Sequence, residues 1–158
     1  MIKQIQPSEL ERCAEVIRES FATVAEEFGI TKEIFPNSTA FTTAENLQDH
    51  WDSGYLMFGY YLNDDIIGYV SIVKKEDGIF GLHRLAVLPE YRHFGYGKEL
   101  VEFCRDKAKE LGGNKIAIGI IEENSRLKNW YERLGFVSTG TKKFDHQLFT
   151  AGFMELKI

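Results

Sequence analysis

Three short β-rich runs separated by tight turns constrain the fold most. They are "YLMFGYYL" (55–62), "IIGYVSIVKK" (66–75) and "IFGLHRLAV" (79–87), joined through "NDD" and "EDG". Gly, Asn and Asp are the residues that adopt the conformations a hairpin turn demands, so the three runs read as an antiparallel meander.

The segments around the meander carry helical signals. "IKQIQ" reads as a short opening strand, followed by "PSELERCAEVIRESFATVAEEF". Pro7 suits the first turn of a helix, Leu10, Ala14, Ile17, Phe21, Val24 and Phe28 mark one helical face, and Gly29 ends it. A second helix follows an irregular stretch, with Thr42 or Thr43 as its cap. Beyond the meander a long helix is expected from about Tyr96 to Leu111, stopped by Gly112 and Gly113. "KIAIGII" is an apolar run of the kind expected of a central strand buried on both faces. "NSRLKNWYERLGF" is a helix capped by Asn124 and ended by Gly135, and "FVSTGTKKF" with "FTAGFMELKI" reads as a closing pair of strands. No repeat, low-complexity tract or linker interrupts this order. One compact α+β domain over residues 1–158 is the expectation.

Composition narrows the function classes. Apolar residues make up 44% and charged residues 27% of the 158, an ordinary globular balance. A net charge of −5, with no basic arm or basic helix, argues against a nucleic-acid partner. Neither a signal-like N-terminus nor a membrane-length apolar segment is present, so a cytoplasmic protein without a membrane partner is expected. Cys13 and Cys104 lie far apart among apolar helical residues, without histidine at ligand spacing. They read as small buried hydrophobes kept reduced, and no metal site is expected.

The stretch "PEYRHFGYGKELV" (89–101) carries chemistry. A glycine-rich bend that opens a helix gathers unpaired backbone N–H groups and the positive end of the helix dipole at one point, which suits an anion. Two phosphate loops fail here. The dinucleotide fingerprint needs a third glycine where Leu100 stands, and the Walker loop needs four residues between its glycines and Ser or Thr after the lysine.

The spacing that fits is Arg92-x-x-Gly95-x-Gly97, preceded by Leu85, Val87 and Pro89 in an L-x-V-x-P pattern. With these residues the chain resembles the GNAT superfamily of acetyl-CoA-dependent N-acetyltransferases. The second family segment is present too: Asn124, the aromatic pair Trp130–Tyr131, and Gly135–Phe136. The resemblance spans almost the whole chain. It implies a GNAT-like α+β fold, with a mixed, mostly antiparallel sheet of about seven strands splayed at the middle and about four helices around it. It implies acetyl-CoA as cofactor. The pyrophosphate would lie on the backbone of His93, Phe94, Gly95, Tyr96, Gly97 and Lys98, with Arg92 positioning the turn. Leu85, Ala86 and Val87 would run beside the pantetheine arm, and Asn124 would lie near it.

The implied reaction moves an acetyl group to a primary amine by direct attack through a tetrahedral intermediate. It requires a neutral amine, yet only about one alkyl ammonium in 10³ is deprotonated at neutral pH. His83 is the candidate base, two residues before Leu85 and on its face if the strand is regular, with a water chain as the alternative. The family's frequent glutamate position holds Gly81 here. Tyr131 matches the family's general acid. Its proton would pass to the departing thiolate roughly 2 kcal/mol uphill. Leu127, Trp130, Tyr131 and Leu134 also form an ordinary core stripe.

The acceptor pocket in this family is shaped by the first two helices and the loop between the last strands. Glu26, Glu27 and Glu33 would draw in a cationic amine there, and Phe35, Phe144, His146 and Phe149 would cover an apolar body. A small-molecule amine is the expected acceptor. A protein or peptide acceptor, and a non-catalytic CoA-binding regulatory module, are the alternatives. Members of the family often form homodimers, and no segment of this sequence marks an interface.

Overall fold

The computed structural model describes residues 1–143 and 148–158. Its strands are β1 (Ile2–Gln4), β2 (Leu56–Leu62), β3 (Asp65–Glu76), β4 (Ile79–Val87), β5 (Lys115–Ile121), β6 (Val137–Lys142) and β7 (Ala151–Lys157). The helices are α1 (Leu10–Phe28), α2 (Ala44–Asp52), α3 (Tyr96–Glu110) and α4 (Ser125–Arg133). The sheet order is β1-β2-β3-β4-β5-β7-β6, and β4 with β5 is a parallel pair in an otherwise antiparallel pattern. The backbone falls into two compact units, Met1–Val73 with His83–Cys104, and Lys74–Leu82 with Arg105–Ile158. No described helix is long and apolar enough to cross a membrane.

In the first unit the meander opens as read. Asn63 and Asp64 take φ of 50° and 66°, the two left-handed residues of a two-residue turn whose twist matches the strands it joins. Pro7 begins a short 3₁₀ turn (Pro7–Glu9) rather than α1 itself. Leu10, Cys13, Ala14 and Ile17, spaced i, i+3, i+4, i+7, are all buried, and α1 packs on α2. Further along, Ser20 is buried while Phe21, Val24 and Phe28 are only half-buried. An arginine from elsewhere in the chain, described below, covers that turn of α1 where apolar packing was expected. Gly29 ends the helix at φ 67°, and the N–H of Ile30 reaches back to the Ala25 carbonyl at 2.8 Å. Thr43, not Thr42, caps α2, exchanging hydrogen bonds with Asn46 in both directions.

In the second unit β4 pairs with β5 over only three residue pairs, Ile79↔Lys115 to Gly81↔Ala117, whereas β5 pairs with β7 along its full length. The β4–β5 ladder is thus short, in a seven-stranded mixed sheet of the expected strand number. The expectation that β5 is buried on both faces does not hold: Ile116 and Ile118 are buried, Gly119 is exposed, and Ile120 and Ile121 are half-buried. The parallel pairing stops before that end of the strand, so the apolar run reflects a strand only partly covered. Gly113 is required by space, because a Cβ there would stand 2.8 Å from the Phe80 ring and from the Ala108 carbonyl oxygen.

Both cysteines are fully buried free thiols. Burial, with Glu9 adding repulsion, pushes the Cys13 thiol up to about 12, and burial alone pushes Cys104 higher still. Neither forms thiolate at working pH. An aqueous thiol reagent at pH 8 should therefore label no cysteine in the native protein within minutes and two per chain in denaturant. Rapid native labelling would contradict the packing of α1 and α3.

Candidate active site

The glycine-rich turn belongs to the first unit. β4 ends at Val87, the Leu88 N–H donates to the Ile67 carbonyl at 2.9 Å, and a 3₁₀ turn over Pro89–Tyr91 leads to Arg92. His93 and Gly95 then take φ of 69° and 88°. Two left-handed residues around Phe94 turn the chain into α3. A Cβ on Gly95 would meet nothing within 4 Å, so conformation rather than crowding demands glycine there, and the face of the turn is open. The Gly95 carbonyl accepts the first helical bond, from the N–H of Glu99 at 3.0 Å. The N–H groups of Tyr96, Gly97 and Lys98 thus form the first turn, which has no intrahelical acceptor for them. The helix dipole adds positive potential at that point.

The charged residues around the turn are tied elsewhere. Arg92 reaches α1, where its Nη2 donates to the Ser20 carbonyl at 2.6 Å and to Ser20 Oγ at 3.3 Å, and its Nη1 donates to Thr23 Oγ1 at 3.1 Å. That is the cover over the middle of α1, and it makes Arg92 a fastener of the turn. Glu99, in the first turn of α3, accepts from the Tyr60 hydroxyl at 2.8 Å, which anchors its carboxylate to β2. Lys98 extends toward Glu102 at 3.8 Å and stays exposed. Phe94 is exposed on the turn.

β4 itself is irregular. Arg84 takes φ 54°, a left-handed conformation inside a strand, which costs an arginine roughly 1–3 kcal/mol. The regular alternation that would put His83, Leu85 and Val87 on one face is therefore interrupted between His83 and Leu85. Ala86 is buried, while His83, Leu85 and Val87 are half-buried. The His83 ring lies 5.8 Å from that of Tyr55, at 42°, and the His83 carbonyl accepts from Ser71 Oγ at 3.4 Å.

Arg84 also opens onto a cavity of about 370 Å³ between the α1–α2 connection and α2. Half-buried Arg84 and His50 line it, together with exposed Lys32, Asn37, Asn46 and Asp49. Arg84 Nε donates to Thr42 Oγ1 at 3.2 Å, and no carboxylate pairs with the guanidinium among the described residues. Desolvation lowers its pKa, with only the Tyr69 and Tyr55 hydroxyls acting the other way. His50 stacks on Tyr55 at 4.4 Å, and its buried Nδ1 finds no partner among the described residues. Burial first, then the Arg84 charge, lowers the His50 pKa and keeps the ring neutral at pH 7.

The sequence reading expects the acceptor pocket at the first two helices and the loop between the last strands, and does not single out Arg84 or His50, which line this cavity. The available signal was a charged residue inside the apolar run "FGLHRLAV". The cavity lining does not include Glu26, Glu27, Glu33 or Phe35. Phe144 and His146 lie outside the described residues.

Asn124 and Tyr131 belong to the second unit. Asn124 is buried and caps α4, its Oδ1 accepting from the Leu127 N–H at 3.3 Å. Of the stripe Leu127, Trp130, Tyr131 and Leu134, only Tyr131 is buried. Trp130 and Phe136 meet its ring edge-on at 5.0 and 5.2 Å.

Known proteins share the fold and parts of the sequence. An uncharacterized N-acetyltransferase of Mycobacterium bovis is 28% identical over 79 residues, covering 50% of this chain and 51% of that protein, so the chain matches about half the length of such relatives. The crystal structure of the PaiA N-acetyltransferase from Thermoplasma acidophilum, in complex with coenzyme A, superposes with a TM-score of 0.81 at 23% identity, covering 100% of this chain and 98% of that one. The ribosomal-protein-S18-alanine N-acetyltransferase from Escherichia coli gives a TM-score of 0.79 at 20% identity, covering 100% and 93%. The model of the Acetyltransferase (GNAT) family matches residues 21–136, which takes in β4, the turn at Gly95 and α4 up to Phe136, and the chain belongs to that family.

Proposed function

We propose that the protein transfers an acetyl group from acetyl-CoA to a primary amine of a small molecule. The observation that carries this reading is the turn between β4 and α3, where left-handed His93 and Gly95 lead into the first turn of a helix and the space beside Gly95 is open. An anion suits such a turn, because the first-turn N–H groups lack intrahelical acceptors and lie at the positive end of the helix dipole. The pyrophosphate of coenzyme A would lie on residues 93–98. Leu85, Ala86 and Val87 would offer backbone groups to its pantetheine arm, and Asn124 would lie near that arm. Arg92, engaged with α1, fixes the turn rather than supplying the main anion contact.

Acetyl-CoA supplies an acyl group activated as a thioester. The chain's own residues must manage two protons and one developing negative charge. The ammonium proton would leave to His83, directly or through water, and the free amine would add to the thioester carbonyl through a tetrahedral intermediate. As that collapses and the C–S bond breaks, the departing sulfur would take a proton from the Tyr131 hydroxyl, and the second nitrogen proton would return through water to the tyrosinate. Backbone N–H groups of the central strands would face the oxyanion.

Four outcomes are expected. Thiol release should follow when acetyl-CoA is mixed with a broad amine panel; a melting-temperature rise with acetyl-CoA but no thiol release from any amine would favour a regulatory CoA-binding module. Replacing Gly95 by Ala forces a Cβ onto a left-handed residue and should weaken acetyl-CoA binding about tenfold by calorimetric titration. Unchanged affinity would move the pyrophosphate off this turn. Tyr131→Phe should lower turnover at least tenfold with little change in CoA affinity, and His83→Ala should shift or remove the acidic limb of the pH–rate profile. Unaltered kinetics in either variant would reassign that proton.

A further inference from the structure

The cavity beside α2 differs in character from the rest of the protein. The chain as a whole carries a net charge of −5, yet the cavity is lined by Arg84 and Lys32 against the single carboxylate of Asp49. Lys32 and Asp49 are exposed and hydrated, whereas Arg84 is largely withdrawn from water. A guanidinium has five N–H donors in a planar fork, and the fold satisfies Nε through Thr42. Burying such a group without a carboxylate is unfavourable, and so is holding it on a left-handed backbone. Both costs fall on one residue, and its side chain lines a cavity. Beside it, the His50 ring lines the same cavity, with its Nδ1 buried and without a partner among the described residues.

We propose that this cavity is a subsite for a carboxylate carried on the same small molecule as the reactive amine, so that the acceptor is an aminocarboxylate rather than a polyamine. The proposal rests on the acetyl-transfer reading and narrows its substrate class. Arg84 is the counter-ion, its fork matched to the two carboxylate oxygens. Tyr55 touches both His50 and His83, so the subsite joins the strand that carries the candidate base through one ring. Asp49 and the exposed Lys32 would set the preference among aminocarboxylates of different length.

The test uses the full chain with acetyl-CoA and a panel of α- and ω-aminocarboxylates, each paired with the amine that lacks the carboxylate. In the wild type the best aminocarboxylate should exceed its partner amine by about 10- to 100-fold in kcat/KM, mostly through KM. Arg84→Gln should bring that ratio near one, and Arg84→Lys should restore part of it. Affinity for acetyl-CoA should be unchanged in both variants. If wild-type protein acetylates amines without preferring the carboxylate, the proposal fails and the acetyl-transfer reading stands. If Arg84→Gln instead weakens acetyl-CoA binding, the anion held is a phosphate of coenzyme A and the proposal also fails.

A second measurement does not depend on turnover. Succinate titrated into the wild-type protein should shift the His50 imidazole resonances saturably, and should not do so in Arg84→Gln. A saturable shift without acetylation of any amine would uphold the subsite and reject the transferase reading. No shift would reject the subsite. Should Arg84→Gln fail to fold by circular dichroism, the wild-type pairwise preference and the wild-type titration decide alone.

Discussion

The architecture hinges on how β4 is made to bend. A residue with a β-carbon is held left-handed at position 84, and the strand changes its facing there. Before that point lies His83, and after it the backbone of Leu85 to Val87 leads through Pro89 into the turn that opens α3. The strand's pairing with β5 has already ended at Gly81. The local cost falls on the element that carries His83 and Arg84 and leads into the glycine-rich turn. The rest of the first unit supplies the compensation: buried packing from α1, a hydrogen bond from Arg84 to Thr42, and the anchoring of Leu88 on Ile67.

What the sequence made legible was punctuation. Asn63–Asp64, Gly29, Gly112 and Gly135 all take left-handed backbone where a turn or a helix end was read, because such conformations are local and few residues accept them. The glycine-rich turn at Gly95 was legible for the same reason. The bend at Arg84 was not, since arginine carries no preference for that conformation and only the surrounding fold imposes it. The cavity was not legible either: His50, Lys32 and Arg84 stand far apart in the chain, and nothing in their spacing records their meeting. The exposed end of β5 escaped for another reason. Its composition is that of a buried strand, and its exposure depends on where its neighbour stops pairing.

Charge shows the same division between global and local. A net negative chain suggested an attraction for cationic amines, and Glu26, Glu27 and Glu33 supported it. These side chains lie outside the cavity lining, so their field is the screened one of a solvated surface. The residue that counts electrostatically is the one withdrawn from water, where a charge interacts more strongly than a hydrated one does. A tally of charges misleads about recognition when a single desolvated cation faces the interior of a pocket.

The clasp of Arg92 on α1 has a thermodynamic consequence. Ser20 and Thr23 hold the guanidinium whose backbone begins the left-handed turn, so α1 and the turn share one set of hydrogen bonds. Any ligand that narrows the motion of the turn also narrows that of the helix, and by reciprocity a contact that steadies the helix prepares the turn. Because α1 leads directly into the connection that lines the cavity beside Arg84, ligands of the kinds proposed for the turn and for the cavity would order partly the same segment. Positive cooperativity between the two ligands would then need no change of shape, only a fastening shared between them.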